Sequence, residues 1–161
     1  MQVVFENKKY SLIDDHGVEI GSMVKHGRFT YASTVTTNEG SVEISKAGIF
    51  KPLKITRNGR EIGSIKFSFN AMKIKLDWEN RIKEYRICRK SFWKTSFKIT
   101  NEQKEEIAIL APRFKLKKFK YDFDLGVQEK LDRVPLMILL LLAVYGTLIM
   151  MENQYAHYSV V

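Results

Sequence analysis

Val134-Pro-Leu-Met-Ile-Leu-Leu-Leu-Leu-Ala-Val-Tyr-Gly-Thr-Leu-Ile-Met-Met151 decides how this chain must be read. These 18 residues carry no charge. As a helix rising about 1.5 Å per residue they run about 27 Å. No polar stripe interrupts the wheel: neighbouring positions around it are Leu, Met, Ile, Leu and Leu. A helix apolar on every side has to be buried in a protein core or in lipid. Pro135 suits a first helical turn, and Asp132 stands where a capping residue would. The helix is therefore expected over about 132–152.

Working outward, residues 1–125 show no helical periodicity. They read as short β-branched or alternating segments separated by turn signals. Strands are expected over 2–5, 8–14, 18–25, 28–37, 41–45, 49–56, 60–69, 71–78, 81–88, 90–100, 104–110 and 113–123. Asn58-Gly59 is a strong hairpin turn. Over Ala71–Trp78 the alternation is clean, with Met72, Ile74, Leu76 and Trp78 on one face and Lys73, Lys75 and Asp77 on the other. Pro112 is read as ending a strand. The apolar parity switches between Leu116 and Phe119, which predicts a bulge near Lys117-Lys118.

An internal repeat supports this reading. Tyr10-Ser-Leu-Ile-Asp-Asp-His-Gly-Val-Glu-Ile-Gly21 is matched by Leu53-Lys-Ile-Thr-Arg-Asn-Gly-Arg-Glu-Ile-Gly63 and by Phe97-Lys-Ile-Thr-Asn-Glu-Gln-Lys-Glu-Glu-Ile-Ala108. Each is one hairpin ending in Glu-Ile-small. Starts at 10, 53 and 97 make the unit roughly four strands. Three units give twelve strands. Closure removes the exposed edges of such a sheet. A barrel of about eight strands fills itself with side chains, whereas a wider one needs another element inside. The expected fold is thus all-β with one helix: a closed antiparallel barrel of about twelve strands, with the hydrophobic C-terminal helix through its centre. The competing reading is a tail anchor, with 134–151 spanning a bilayer and Lys130 and Arg133 as its flank. Pro135, Gly146 and Thr147 within the stretch, and the empty barrel it would leave, argue against it.

The remaining numbers bound the function. At 161 residues the chain is read as one domain, 1–161. Net charge is +9 with a pI near 9.6, which favours anionic partners: a phospholipid surface, an acidic protein or nucleic acid. The same charge also serves solubility. Nucleic acid ranks lower, since there is no recognition helix, zinc finger or RNP-type aromatic signature. Cys88 is the one cysteine, so no intrachain disulfide forms. That suits a reducing compartment, and the expected location is cytoplasmic, at a membrane's periphery. Met1-Gln-Val-Val-Phe-Glu lacks the basic and apolar regions of a signal peptide.

Hairpins of the form apolar–polar turn–Glu-Ile-Gly-x-Ile, closed by one hydrophobic C-terminal helix, resemble the tubby C-terminal-like superfamily. The stretch from Tyr121-Asp-Phe-Asp-Leu-Gly-Val-Gln to Met151-Glu152 is most similar to the ending of scramblase and LURP-one-related proteins. The resemblance covers nearly the whole chain and implies a twelve-stranded barrel threaded by a hydrophobic helix. Tubby domains bind phosphoinositide headgroups through basic residues outside the barrel, and scramblases are linked to calcium and lipid movement. The resemblance assigns no residue of this chain to a headgroup site.

Basic outward faces are the main functional signal. From 66 to 98, ten Lys or Arg stand against three acids. Arg113-Phe-Lys-Leu-Lys-Lys-Phe-Lys120 adds five cations and no acid. Adjacent strands would set Lys73, Lys75, Arg81, Lys83 and Arg86 side by side as a cationic plate. Arg89, Lys90, Lys115, Lys117, Lys118 and Lys120 extend the candidate headgroup-binding set. The alternative is a set of solvated strand faces whose lysines blunt edges. Asp122, Asp124, Glu129 and Asp132 cluster before the helix, but they are too spread for an EF-hand loop. Charges favourable to a helix N-terminus explain them more simply than calcium does. His16, His26 and His157 lack metal-ligand spacing, so no metal is expected. No nucleophile elbow, phosphate loop or dinucleotide fingerprint occurs, so neither a cofactor nor a catalytic residue is expected. Trp78, Trp93, Phe67, Phe69, Phe119 and Phe123 are read as barrel lining. The expected function is a non-enzymatic module meeting anionic phospholipid headgroups, with a tail-anchored protein or a protein-interaction domain as alternatives.

Overall fold

A computed structural model of the chain describes residues 1–27, 31–46, 51–68, 70–90, 95–118, 120–128 and 135–158, with side chains except at 118 and 153–158. Twelve strands run β1 (Gln2–Glu6), β2 (Lys9–Ile13), β3 (Glu19–Lys25), β4 (Ser33–Thr37), β5 (Gly40–Lys46), β6 (Leu53–Arg57), β7 (Arg60–Ser68), β8 (Ala71–Trp78), β9 (Arg81–Arg89), β10 (Phe97–Thr100), β11 (Glu106–Lys115) and β12 (Lys120–Val127). Helix α1 (Leu136–Tyr158) follows. Each strand pairs antiparallel with the next, and β12 returns to β1 through Gln2↔Asp124 and Val3↔Phe123. The sheet is a closed barrel.

The helix fills the bore. Every residue from Ile138 to Tyr145 has no exposed surface. Inward residues of the strands surround them: Val3, Leu12, Met23, Val35, Ile44, Ile55, Ile65, Ile74, Ile87, Ile99, Leu110 and Phe123 all lie in the same core at 1% exposure or less. Burying a side chain of this size contributes about 1.5–3 kcal/mol. Gly146 lets the helix approach β8, because a Cβ there would overlap the Met72 sulfur. The stretch Ile138–Tyr145 is thus enclosed by the barrel wall. Among the described residues no helix is long and apolar enough to cross a membrane.

The three sequence repeats are three copies of one β-bulge. Leu12 pairs with Gly21 and Ile13 with Glu19, leaving Ile20 as the extra residue. Ile55 pairs with Gly63 and Thr56 with Glu61, leaving Ile62. Ile99 pairs with Ala108 and Thr100 with Glu106, leaving Ile107. A bulge bends its strand and increases local twist, so one sits in each four-strand unit of the closing sheet. The small residue after each Ile faces inward where space is short. A Cβ on Gly21 would press on Thr37 and Leu141, and one on Gly63 would overlap the Lys75 carbonyl oxygen.

Two boundary expectations need correcting. Pro112 does not end a strand; β11 runs through it to Lys115. Its other neighbour, β10, stops pairing at Leu110, so no ladder needs the N–H that proline lacks. The parity switch after Leu116 is not a bulge. It is a chain reversal through a 3-10 turn at Leu116–Lys118, and the last strand extends to Val127, beyond the expected 123. The stretches 28–30, 49–50 and 91–94 of the expected strands lie outside the described residues, as do Phe69, Trp93 and Phe119. Of the remaining aromatic set, Phe123 is fully buried, while Phe67 and Trp78 are partly buried against the core.

Candidate anion-binding surface

Strand direction gives the barrel two chemically different ends. The upper end holds the helix N-terminus and the turns β2–β3, β4–β5, β6–β7, β8–β9 and β10–β11. The lower end holds the helix C-terminus and the turns between the other strand pairs. Acids dominate the upper turns: Asp14, Asp15, Glu39, Glu61, Asp77, Glu79, Glu102 and Glu105, against Arg57, Arg60, Arg81 and Lys104. Cations dominate the lower end: Lys8, Lys25, Lys46, Lys90, Lys115, Lys117 and Lys120, against Glu6 and Glu152. This polarity opposes the helix dipole, whose positive end lies at the N-terminus.

One upper acid touches the helix directly. Glu39 Oε2 accepts the backbone N–H groups of Met137 and Ile138 at 3.0 and 3.1 Å. These are orphan donors that every helix N-terminus exposes. The expected cap, Asp132, lies outside the described residues; the cap that is seen comes from the β4–β5 turn. Burial raises the Glu39 carboxyl above its ordinary value, outweighing the opposite pull of the helix N–H groups. At the lower end Lys25 Nζ lies 3.4 Å from Glu152 Oε1, and Tyr145 donates to the Tyr31 carbonyl at 2.5 Å. Burial also pushes the Tyr145 phenol up.

The outer face carries the cations in rows set by strand register. Lys73 on β8 sits opposite Lys66 on β7 and Arg86 on β9, so three like charges are direct cross-strand neighbours. All three are exposed. Such a row is destabilising by itself. Only Lys73 has a carboxylate partner among the described residues, Glu84 Oε1 at 2.8 Å. Lys75, also exposed, lies beside it between Ser64 and Glu84. Lys98 on β10 continues the face, opposite Cys88.

The expected plate is therefore only partly assembled. Lys73, Lys75 and Arg86 share it; Arg81 and Lys83 do not. On β9 these two have the parity of the buried Tyr85 and Ile87, opposite Trp78 and Leu76, and belong to the upper mouth of the bore. Ile82, between them, takes the outer face and is 61% exposed. Arg89 has the same inward parity, with its guanidinium 5.9 Å from the Phe97 ring. Lys90 is exposed at the lower end and reaches Glu106 Oε2 at 3.8 Å. Lys115 lies 3.6 Å from Asp122 Oδ2, and Lys120 sits over the Phe5 ring at 5.6 Å. Lys117 is exposed in the 3-10 turn, and the Lys118 side chain lies outside the described residues. Lys66 is the member that the sequence reading counted but did not group. The short β7–β8 turn, which fixes the register Lys66↔Lys73, is the signal that would have placed it.

Of the acids before the helix, Glu129 and Asp132 lie outside the described residues, and Asp122 and Asp124 are engaged with the barrel. Asp122 accepts the Phe5 N–H at 3.0 Å and faces Lys115, while Asp124 pairs with Arg113 at 2.9 Å. Among the described residues no three His, Cys, Asp or Glu side chains gather as metal ligands. At the upper end a shallow cavity of about 330 Å³ is lined by Arg57, Asn58, Arg60, Ile62, Asp77, Trp78, Glu79 and Asn80, with the Arg57 guanidinium 4.2 Å over the Trp78 ring. Its two acids offset its two arginines, so it favours no single charge.

No family model, no curated protein and no solved structure matches this chain.

Proposed function

We propose that this protein is a non-enzymatic binding module that meets anionic phospholipid headgroups through the basic outer surface of its barrel. The observation that carries this reading is the row Lys66–Lys73–Arg86 on three adjacent strands. Directly opposed like charges repel, and a phosphate between them turns that repulsion into attraction. The concentration of cations toward the lower end supports a preferred orientation on a negative surface. The likeness to the tubby C-terminal-like superfamily stays part of this proposal and rests on the repeated hairpin motif and the helix it encloses.

Vesicle co-sedimentation tests it. Binding should require anionic lipid and weaken as salt rises. Each cation near such a surface contributes about 1 kcal/mol. The triple variant Lys66→Gln, Lys73→Gln, Arg86→Gln should therefore bind about 100-fold more weakly. The matched variant Arg57→Gln, Arg60→Gln, Arg81→Gln removes the same charge from the upper end and should bind nearly as wild type. Indifference to lipid charge, or equal loss from both triple variants, would reject the outer face as the site.

A further inference from the structure

The β11–β12 hairpin runs on past its last pair with β10 at the lower end of the barrel. β10 pairs with β11 only as far as Leu110, and β1 pairs with β12 only at Phe123 and Asp124. Beyond them Arg113↔Asp122, Phe114↔Tyr121 and Lys115↔Lys120 continue as a two-stranded ribbon at the lower end, with Phe5 of β1 still beside Asp122 and Lys120.

Its tip is apolar where water would favour polar residues. Leu116 is 74% exposed and Phe114 48%. They are two of five exposed large hydrophobics among the described residues, and Leu116 is the most exposed of them. Phe114 stacks on Tyr121 with ring centroids 5.1 Å apart, which stiffens the ribbon behind the tip. Lys115, Lys117 and Lys120 neighbour these side chains in sequence, Lys115 and Lys120 as the cross-strand pair next to Phe114↔Tyr121, and no acid occurs from Arg113 to Lys120.

We propose that this tip is a wedge that inserts Leu116 and Phe114 into an anionic bilayer while the surrounding lysines rest at the phosphate level. The inference rests on the lipid reading above and adds an orientation and a depth to it. The apolar part of an interfacial element sinks about 5–10 Å below the headgroups. Lysines beside a greasy tip complement an anionic lipid surface better than the uncharged core patch typical of a protein interface. With the lower end facing the membrane, the acidic upper end points away from it.

The test uses the full chain carrying Cys88→Ser and Leu116→Cys, labelled at the new thiol with nitrobenzoxadiazole. A second labelled variant, Cys88→Ser with Glu79→Cys, reports from the upper end. With vesicles of phosphatidylserine and phosphatidylcholine, the label at 116 should shift to the blue and become quenched by spin-labelled lipid. The label at 79 should do neither. The unlabelled pair Phe114→Ser, Leu116→Ser should lower vesicle partitioning about 10- to 100-fold, with its circular dichroism unchanged. Vesicle binding with the label at 116 still in water would overturn the wedge and leave the outer-face reading standing. Absence of vesicle binding would overturn both. A blue shift without vesicles that grows with protein concentration would assign the tip to a second copy of the chain and overturn the wedge.

Discussion

Replacing Glu39 separates two contributions made by one side chain. Glu39→Ala removes the acceptor that Met137 and Ile138 share at 3.0 and 3.1 Å. Losing such a cap costs about 1–2 kcal/mol. For a chain of this length that corresponds to a fall of about 2–8 °C in Tm. Glu39→Gln keeps an acceptor but abolishes the charge. Burial raises the Glu39 carboxyl above its ordinary 4.5. A group raised in the folded state contributes stability that is complete below pH 4.5 and is lost as pH rises through the folded value. The Gln variant should therefore equal wild type below about pH 4.5 and exceed it at neutral pH, while the Ala variant falls below wild type at both. Calorimetric melts of the three proteins from acid to neutral pH check this. A Gln variant less stable than wild type at neutral pH, with the gap closing on acidification, would show that helix attraction outweighs burial and refute the reasoning. An unchanged Ala variant would refute the cap itself.

Gly63→Ala should destabilise the barrel by about 1–3 kcal/mol or more in urea titrations, because its Cβ would overlap the Lys75 carbonyl oxygen. Gly126→Ala meets nothing within 4 Å and should stay within about 0.5 kcal/mol of wild type. Tyr85→Phe should be neutral or stabilising by up to about 1 kcal/mol in the same titration. The Tyr85 hydroxyl is buried without a hydrogen-bond partner among the described residues, and burial with nearby Glu102 pushes it up to about 12.

Much of this architecture was legible in local sequence. Met72, Ile74 and Leu76 alternate without interruption, so β8 was bounded correctly at both ends. Asn58-Gly59 marked its turn because both residues adopt positive φ, 51° and 77°. The repeat at Ile20, Ile62 and Ile107 was visible as a pattern, but its meaning was not. A bulge is a property of two strands, and only the pairings Leu12↔Gly21, Ile55↔Gly63 and Ile99↔Ala108 reveal it. Pro112 misled because its effect depends on whether a neighbour needs its N–H. The candidate surface suffered from the two-residue period: Arg81 and Lys83 are adjacent in sequence to Ile82 and Glu84 yet face the other way. The Glu39 cap joins residues 98 and 99 positions apart, a distance no local motif spans.

The helix that fills the bore comes after all twelve strands in the chain. A ribosome adding about 5–20 residues per second makes the cylinder's wall before its filling. Until Ile138–Met151 emerges, the greasy inner faces of the strands have nothing to close upon, and the first strand waits for the twelfth. Such distant pairings slow folding and lengthen exposure of sticky intermediates. Nascent chains of this protein are thus committed to folding late and as a whole, and a chain released before the helix is made would be a substrate for chaperones rather than a smaller barrel.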